Sequence, residues 1–190
     1  MKVIQLPLTA SGYALTDHAV FATARTEDGN DAGDMNVKPG PAITHPANWI
    51  ISRIALRFDT TGYASATAVE LQVKTISGLD PTNLYLSVCN WSNAPPHDTN
   101  YEEGKNRGLA SGYDNTGLGY FSLDFGDWYK YEIPLVSFTV EATYDLGIVM
   151  KNDKDGTAAI QEGALATGAD APRLEITYPG GGRMTRGMGL

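Results

Sequence analysis

Ile51-Ser52-Arg53-Ile54-Ala55-Leu56-Arg57-Phe58-Asp59-Thr60 decides the fold. Ile54, Leu56 and Phe58 alternate with Arg53, Arg57 and Asp59, a period of two that belongs to a strand with one face buried. Arg57 and Asp59 are then expected on the surface or as polar partners between strands. The closing stretch Ala171-Pro172-Arg173-Leu174-Glu175-Ile176-Thr177-Tyr178 has the same alternation, Leu174 and Ile176 against Arg173, Glu175 and Thr177.

Working outward, strands are predicted over 2–6, 17–22, 52–58, 68–74, 84–89, 120–125, 128–133, 137–140, 144–150, 157–161 and 173–178, with a helical turn over 133–138 as the alternative to the strand at 137–140. Short runs divided by Gly, Pro, Asn and Asp predict an all-β fold, an antiparallel β-sandwich of jelly-roll-like kind. The 190 residues, 42% hydrophobic and 19% charged with 21 Gly and 10 Pro, suit one sandwich domain over 1–178. No repeat of fixed period is present, which disfavours a propeller or solenoid.

A formal charge of −8 opposes a phosphate-backbone partner, so no nucleic acid is expected. No apolar run approaches transmembrane length, and no membrane partner is expected either. Met1-Lys2-Val3-Ile4-Gln5-Leu6-Pro7-Leu8 is interrupted by Gln5 and Pro7, unlike a secretory leader. The lone Cys89 reads as a structural thiol.

Three connections, 26–45, 90–119 and 163–171, exceed hairpin length, and the second carries aromatics that a plain linker does not need. Trp91, Tyr101 and Tyr113 in that loop, with Trp49, form the candidate ligand-binding set. Pyranose rings present apolar C–H faces to aromatic planes while their hydroxyls seek Asp, Asn and Arg. In Trp128-Tyr129-Lys130-Tyr131-Glu132-Ile133, alternation sets Trp128 against Tyr129, Tyr131 and Ile133, and Trp128 is read as structural.

Asp153 and Asp155, at i and i+2 before Gly156, are the candidate Ca²⁺ ligands, as is the carboxylate-rich loop 27–34; a hairpin turn between strands at 146–150 and 157–161 is the plainer reading of Asp153-Lys154-Asp155-Gly156. No other cofactor is expected. His18, His45 and His97 lack zinc spacing, and neither a G-x-S-x-G elbow nor a Gly-rich phosphate loop is present, so the chain is read as no enzyme. The tail 179–190 has five glycines and is flexible by composition, yet Met184, Met188 and Leu190 offer apolar pegs for an assembly arm.

Across residues 13–178 the sequence resembles the β-sandwich modules of the DNRLRE type, relatives of carbohydrate-binding modules. The resemblance rests on Asp17 in an opening strand, on Ser52-Arg53-Ile54-Ala55-Leu56-Arg57-Phe58-Asp59-Thr60, and on Ala66-Thr67-Ala68-Val69-Glu70-Leu71-Gln72-Val73. It extends to Tyr144-Asp145-Leu146-Gly147-Ile148-Val149-Met150 and the close at Tyr178. The W-D-V-T element of such modules is missing. This resemblance implies binding or scaffolding rather than catalysis. Stand-alone, leaderless sequences with a Gly-rich tail look like tailed-phage virion proteins. The expectation is therefore a virion surface protein of capsid-decoration, head-fibre or adsorption type. Its expected partners are other virion proteins, further copies of itself and a host surface glycan. The alternative is a carbohydrate-binding module of a larger secreted or cell-surface protein.

Overall fold

The computed structural model describes residues 1–26, 31–35, 41–78, 82–89, 94–96, 117–123 and 128–179. Within them run β1 (Lys2–Pro7), β2 (Ala10–His18), β3 (Asp31–Gly33), β4 (Ala42–Thr44), β5 (Trp49–Phe58) and β6 (Ala68–Gly78). β7 (Thr82–Cys89), β8 (Gly117–Leu123), β9 (Trp128–Glu132), β10 (Tyr144–Met150), β11 (Gln161–Leu165) and β12 (Arg173–Tyr178) complete the strands. Two short helices, α1 (Phe21–Thr26) and α2 (Lys151–Asp155), and two 3-10 turns interrupt them.

All ladders are antiparallel, and they form the expected all-β sandwich of two sheets. The first runs β1-β12-β6-β9. The second runs β3-β2-β5-β10-β7-β8. β4 pairs with the start of β5, and β11 links β4 to the end of β6, so the two sheets are joined along one side.

Between the sheets lie the side chains that the alternation selected. Ile54, Leu56 and Phe58 of β5 meet Leu146, Ile148 and Met150 of β10 and Leu84 and Leu86 of β7, all at most 1% exposed. From the first sheet Val69, Leu71, Val73, Leu174 and Ile176 complete this layer. Each such side chain contributes about 1.5–3 kcal/mol by leaving water. Tyr144 donates its hydroxyl hydrogen to the Ser137 carbonyl at 3.2 Å, and burial raises its pKa above the usual tyrosine value.

The expectation of one buried face fails for β5, whose outward Ile51, Arg53 and Ala55 are 0%, 3% and 2% exposed. Three short covers seal this outer side. α1 buries Phe21 and Ala24 on it, three residues apart and hence on one helical face. α2 turns Asp153 inward. Pro96 lies over Gly12, where an added Cβ would come within 2.8 Å of Pro96 Cα and 2.7 Å of the Gly33 carbonyl oxygen. Gly12, Ala55, Gly147 and Ser87 stand in register across four strands, a lane of small residues that admits this close approach.

Two arginines on that side, Arg53 buried and Arg57 partly so, carry the charge balance. Arg53 donates from Nε to Asp153 Oδ2 at 2.8 Å and from Nη2 to Oδ1 at 3.1 Å. Its Nη2 also donates to the Arg25 carbonyl at 3.0 Å. Arg25 in turn donates to the carbonyls of Asp153 and Lys154 at 2.7 and 3.1 Å, placing a cation on the last turn of α2. Two pleats along β5, beyond Ala55, Arg57 grips Asp145 bidentately at 2.7 and 2.8 Å, the inter-strand partnership expected for it. Asp59 is exposed and accepts the Thr61 N–H.

Other expectations need correction. Residues 17–22 are not a strand: β2 ends at His18, having paired with β5 from Ala10 onward, and α1 begins at Phe21. The 137–140 strand gives way to a 3-10 turn at Leu135–Ser137, the helical alternative. Asp153-Lys154-Asp155-Gly156 is not a hairpin turn but the end of α2, closed by Gly156 at φ +75. The strand expected over 157–161 lies instead at Gln161–Leu165, and it pairs with β4 and β6, not with β10.

Arg53→Met alone should lower stability by about 3 kcal/mol in urea unfolding, because it removes the bidentate partner of the buried Asp153 carboxylate and leaves it only Arg25, 3.5 Å away. Adding Asp153→Leu should recover most of that loss. A single-variant loss below about 1 kcal/mol would show that the pair does not constrain the fold.

Candidate functional site

On the outer side of the first sheet the polar partners of the alternation come together. β9 pairs with β6 so that Trp128 opposes Lys74, Lys130 opposes Gln72 and Glu132 opposes Glu70. On the other flank of β6, β12 places Arg173 opposite Gln72 and Glu175 opposite Glu70. Tyr129, Tyr131 and Ile133 face the core, so they are the buried set, and Trp128 stands on the solvent side, half-buried.

Arg173 explains that partial burial. From β12 it reaches across β6 and sets its guanidinium carbon 3.9 Å from the Trp128 ring centroid, a cation–π stack that fixes the indole, while Lys74 Nζ lies 6.0 Å from the same centroid. On the way its Nε donates to Gln72 Oε1 at 2.9 Å. Gln72 is thereby 2% exposed, and its amide nitrogen has no hydrogen-bond partner.

The remaining charges are organised around this core of the face. Lys74 Nζ lies 2.6 Å from Asp170 Oδ2. Lys130 Nζ bridges Glu175 at 2.9 Å and Glu70 at 3.1 Å, while Gln5 donates to the second Glu175 oxygen at 3.3 Å. The hydrogen bond from Lys130 holds the Glu175 carboxyl below its usual pKa, and Glu175, then Glu70, hold the Lys130 ammonium above its own. A fixed aromatic ring beside carboxylate acceptors and amide, ammonium and guanidinium donors is an arrangement suited to polyhydroxylated ligands.

The residues singled out from sequence fall elsewhere. Trp49 belongs to the second sheet, where its ring meets Phe21 edge-on at 5.0 Å and His45 at 4.5 Å. Trp91, Tyr101 and Tyr113 lie outside the described residues, as do Met184, Met188 and Leu190 and most of the loop 27–34. Asp153 and Asp155 do not meet at one cation site: the first gives its carboxylate to Arg53, and the second pairs with Lys151. Among the described residues no group of three or more His, Cys, Asp or Glu is arranged to hold a metal ion. Cys89 is buried against Ser87.

Sequence reading missed Arg173, Gln72, Lys130 and the glutamates as a group. Their alternation was visible, but their register across β12, β6 and β9 was not. Comparison with known proteins finds no family model and no curated protein that matches the chain.

The Lys130 network sets a pH response. Because the folded Glu175 carboxyl titrates below its ordinary value of 4.5, its contribution is complete above that pH and is lost as pH falls through the lowered folded value. Melting temperatures measured from about pH 6 to 3 should fall more steeply for the parent than for Glu175→Gln. Parallel curves would mean that the network adds nothing to stability.

Proposed function

We propose that the protein is a non-enzymatic, glycan-binding-type β-sandwich displayed on a bacteriophage virion, as a capsid-decoration, head-fibre or adsorption subunit. The observation that carries the binding half is the stacked Trp128–Arg173 pair on a sheet face otherwise made of hydrogen-bonding side chains. Its rigidity supports the reading, since a ring already fixed loses little freedom on contact with a sugar. The buried carboxylates support the non-enzymatic half: Asp145 and Asp153 are both neutralised by bidentate arginines, so their environment serves the fold. The virion setting rests on the sequence resemblance. The second reading, a carbohydrate-binding module of a larger exported protein, uses the same face and differs in what the sandwich is attached to.

Retention of the full chain on host cell-wall polysaccharide tests the binding. Trp128→Ala should weaken it by roughly tenfold, the value of about 1.4 kcal/mol of lost stacking, with little change in melting temperature. Trp49→Phe, on the other sheet, should leave it unchanged. Failure of the parent to bind, or equal binding by Trp128→Ala, contradicts the reading. A protein inventory of purified phage particles checks the setting, with the chain expected among the virion proteins.

A further inference from the structure

We infer that this face selects its glycan by charge, preferring sugars that carry a protonated amine and discriminating against acidic polysaccharides. The inference rests on the glycan reading of the Trp128 face. Three glutamates stand in one row across three strands, Glu175 opposite Glu70 and Glu70 opposite Glu132. Like charges directly opposite one another on a sheet are destabilising, so the row has a cost that a bound cation relieves.

Only part of that charge is balanced within the protein. Lys130 reaches Glu175 and Glu70, but among the described residues no cation lies at ion-pair distance from Glu132, at the β9 end of the row. The other cations of the face are committed, Arg173 to the indole and to Gln72, and Lys74 to Asp170. One pleat along β6 from Glu70, the 2% exposed Gln72 sits beside Glu175 and helps Lys130 hold its carboxyl below the usual pKa, so among the described residues the Glu175 end of the row is supported within the protein and the Glu132 end is not.

The group left over is thus the Glu132 carboxylate. A ligand that brings an ammonium group complements it, whereas one that brings carboxylates or phosphodiesters meets the acidic row and an overall charge of −8. A basic polypeptide would satisfy the charges but has no use for the fixed ring beside them, which favours the saccharide.

Isothermal titration of the full chain with three β-1,4-glucan oligomers of equal length tests this: 2-amino, 2-acetamido and 6-carboxylate forms, at a pH where the amine is protonated. The expected order is amino, then acetamido, then carboxylate, with roughly five- to tenfold between the first two at low salt and less at high salt. Glu132→Gln should shrink the amino-to-acetamido ratio. Equal binding of all three, tighter binding of the carboxylate form, or a ratio unmoved by Glu132→Gln overturns the charge inference alone. Binding of none of the three, or binding of poly-lysine in their place, overturns the glycan reading beneath it.

Discussion

The Arg53–Asp153 pair is the interaction on which the rest of the structure depends. A guanidinium 3% exposed in the middle of β5 requires a partner, and no neighbouring strand supplies it. It comes from α2, and the same guanidinium holds the Arg25 carbonyl of α1, so one side chain fastens two helices to the sheet. Arg57 and Asp145 repeat the solution two pleats away, between β5 and β10. With these charges paired, Gly12 can lie beneath Pro96 in close contact, and the outer side of β5 is buried from Ile51 to Ala55.

That closure gives the first sheet its significance. Among the described residues no helix lies over its outer side, and its order comes from side chains spanning three strands: Arg173 crossing β6 to Trp128, and Lys130 linking Glu70 to Glu175. Charge plays opposite parts on the two sheets. Buried and bidentate, it fixes the position of helices; half-exposed and shared, it leaves a surplus of acceptors facing water, and it is this surplus that the proposed ligand contacts would use.

Strand existence was legible where burial is strictly one-sided or complete. Arg173–Tyr178 and Tyr144–Met150 appear with the bounds that alternation and apolar density indicate. The helices were not, because five or six residues are too few for a 3.6-residue pattern to emerge, and Phe21 and Ala24 read equally well as part of a strand. Nor was the second burial of β5 legible, since an arginine within an alternating run signals solvent unless its distant acid is known, and Asp153 lies 100 positions away. The same limit governed the site. Local alternation sets Trp128 apart from Tyr129 and Tyr131 but not which set meets the core, so Trp128 read as structural; its stack with Arg173 depends on β9 and β12 flanking β6, a pairing between remote segments that no local pattern encodes.

The central claim is that one side of this sandwich is sealed for stability and the other is offered to a saccharide. The most direct measurement is a heteronuclear NMR titration of the full chain with the acetamido oligomer, following the indole N–H signals of the three tryptophans and the Gln72 side-chain amide. The account predicts that Trp128 and Gln72 shift progressively, together with backbone amides of β6, β9 and β12, while Trp49 and the amides of β5 stay still. Movement of Trp49 or β5 with Trp128 unmoved would contradict it.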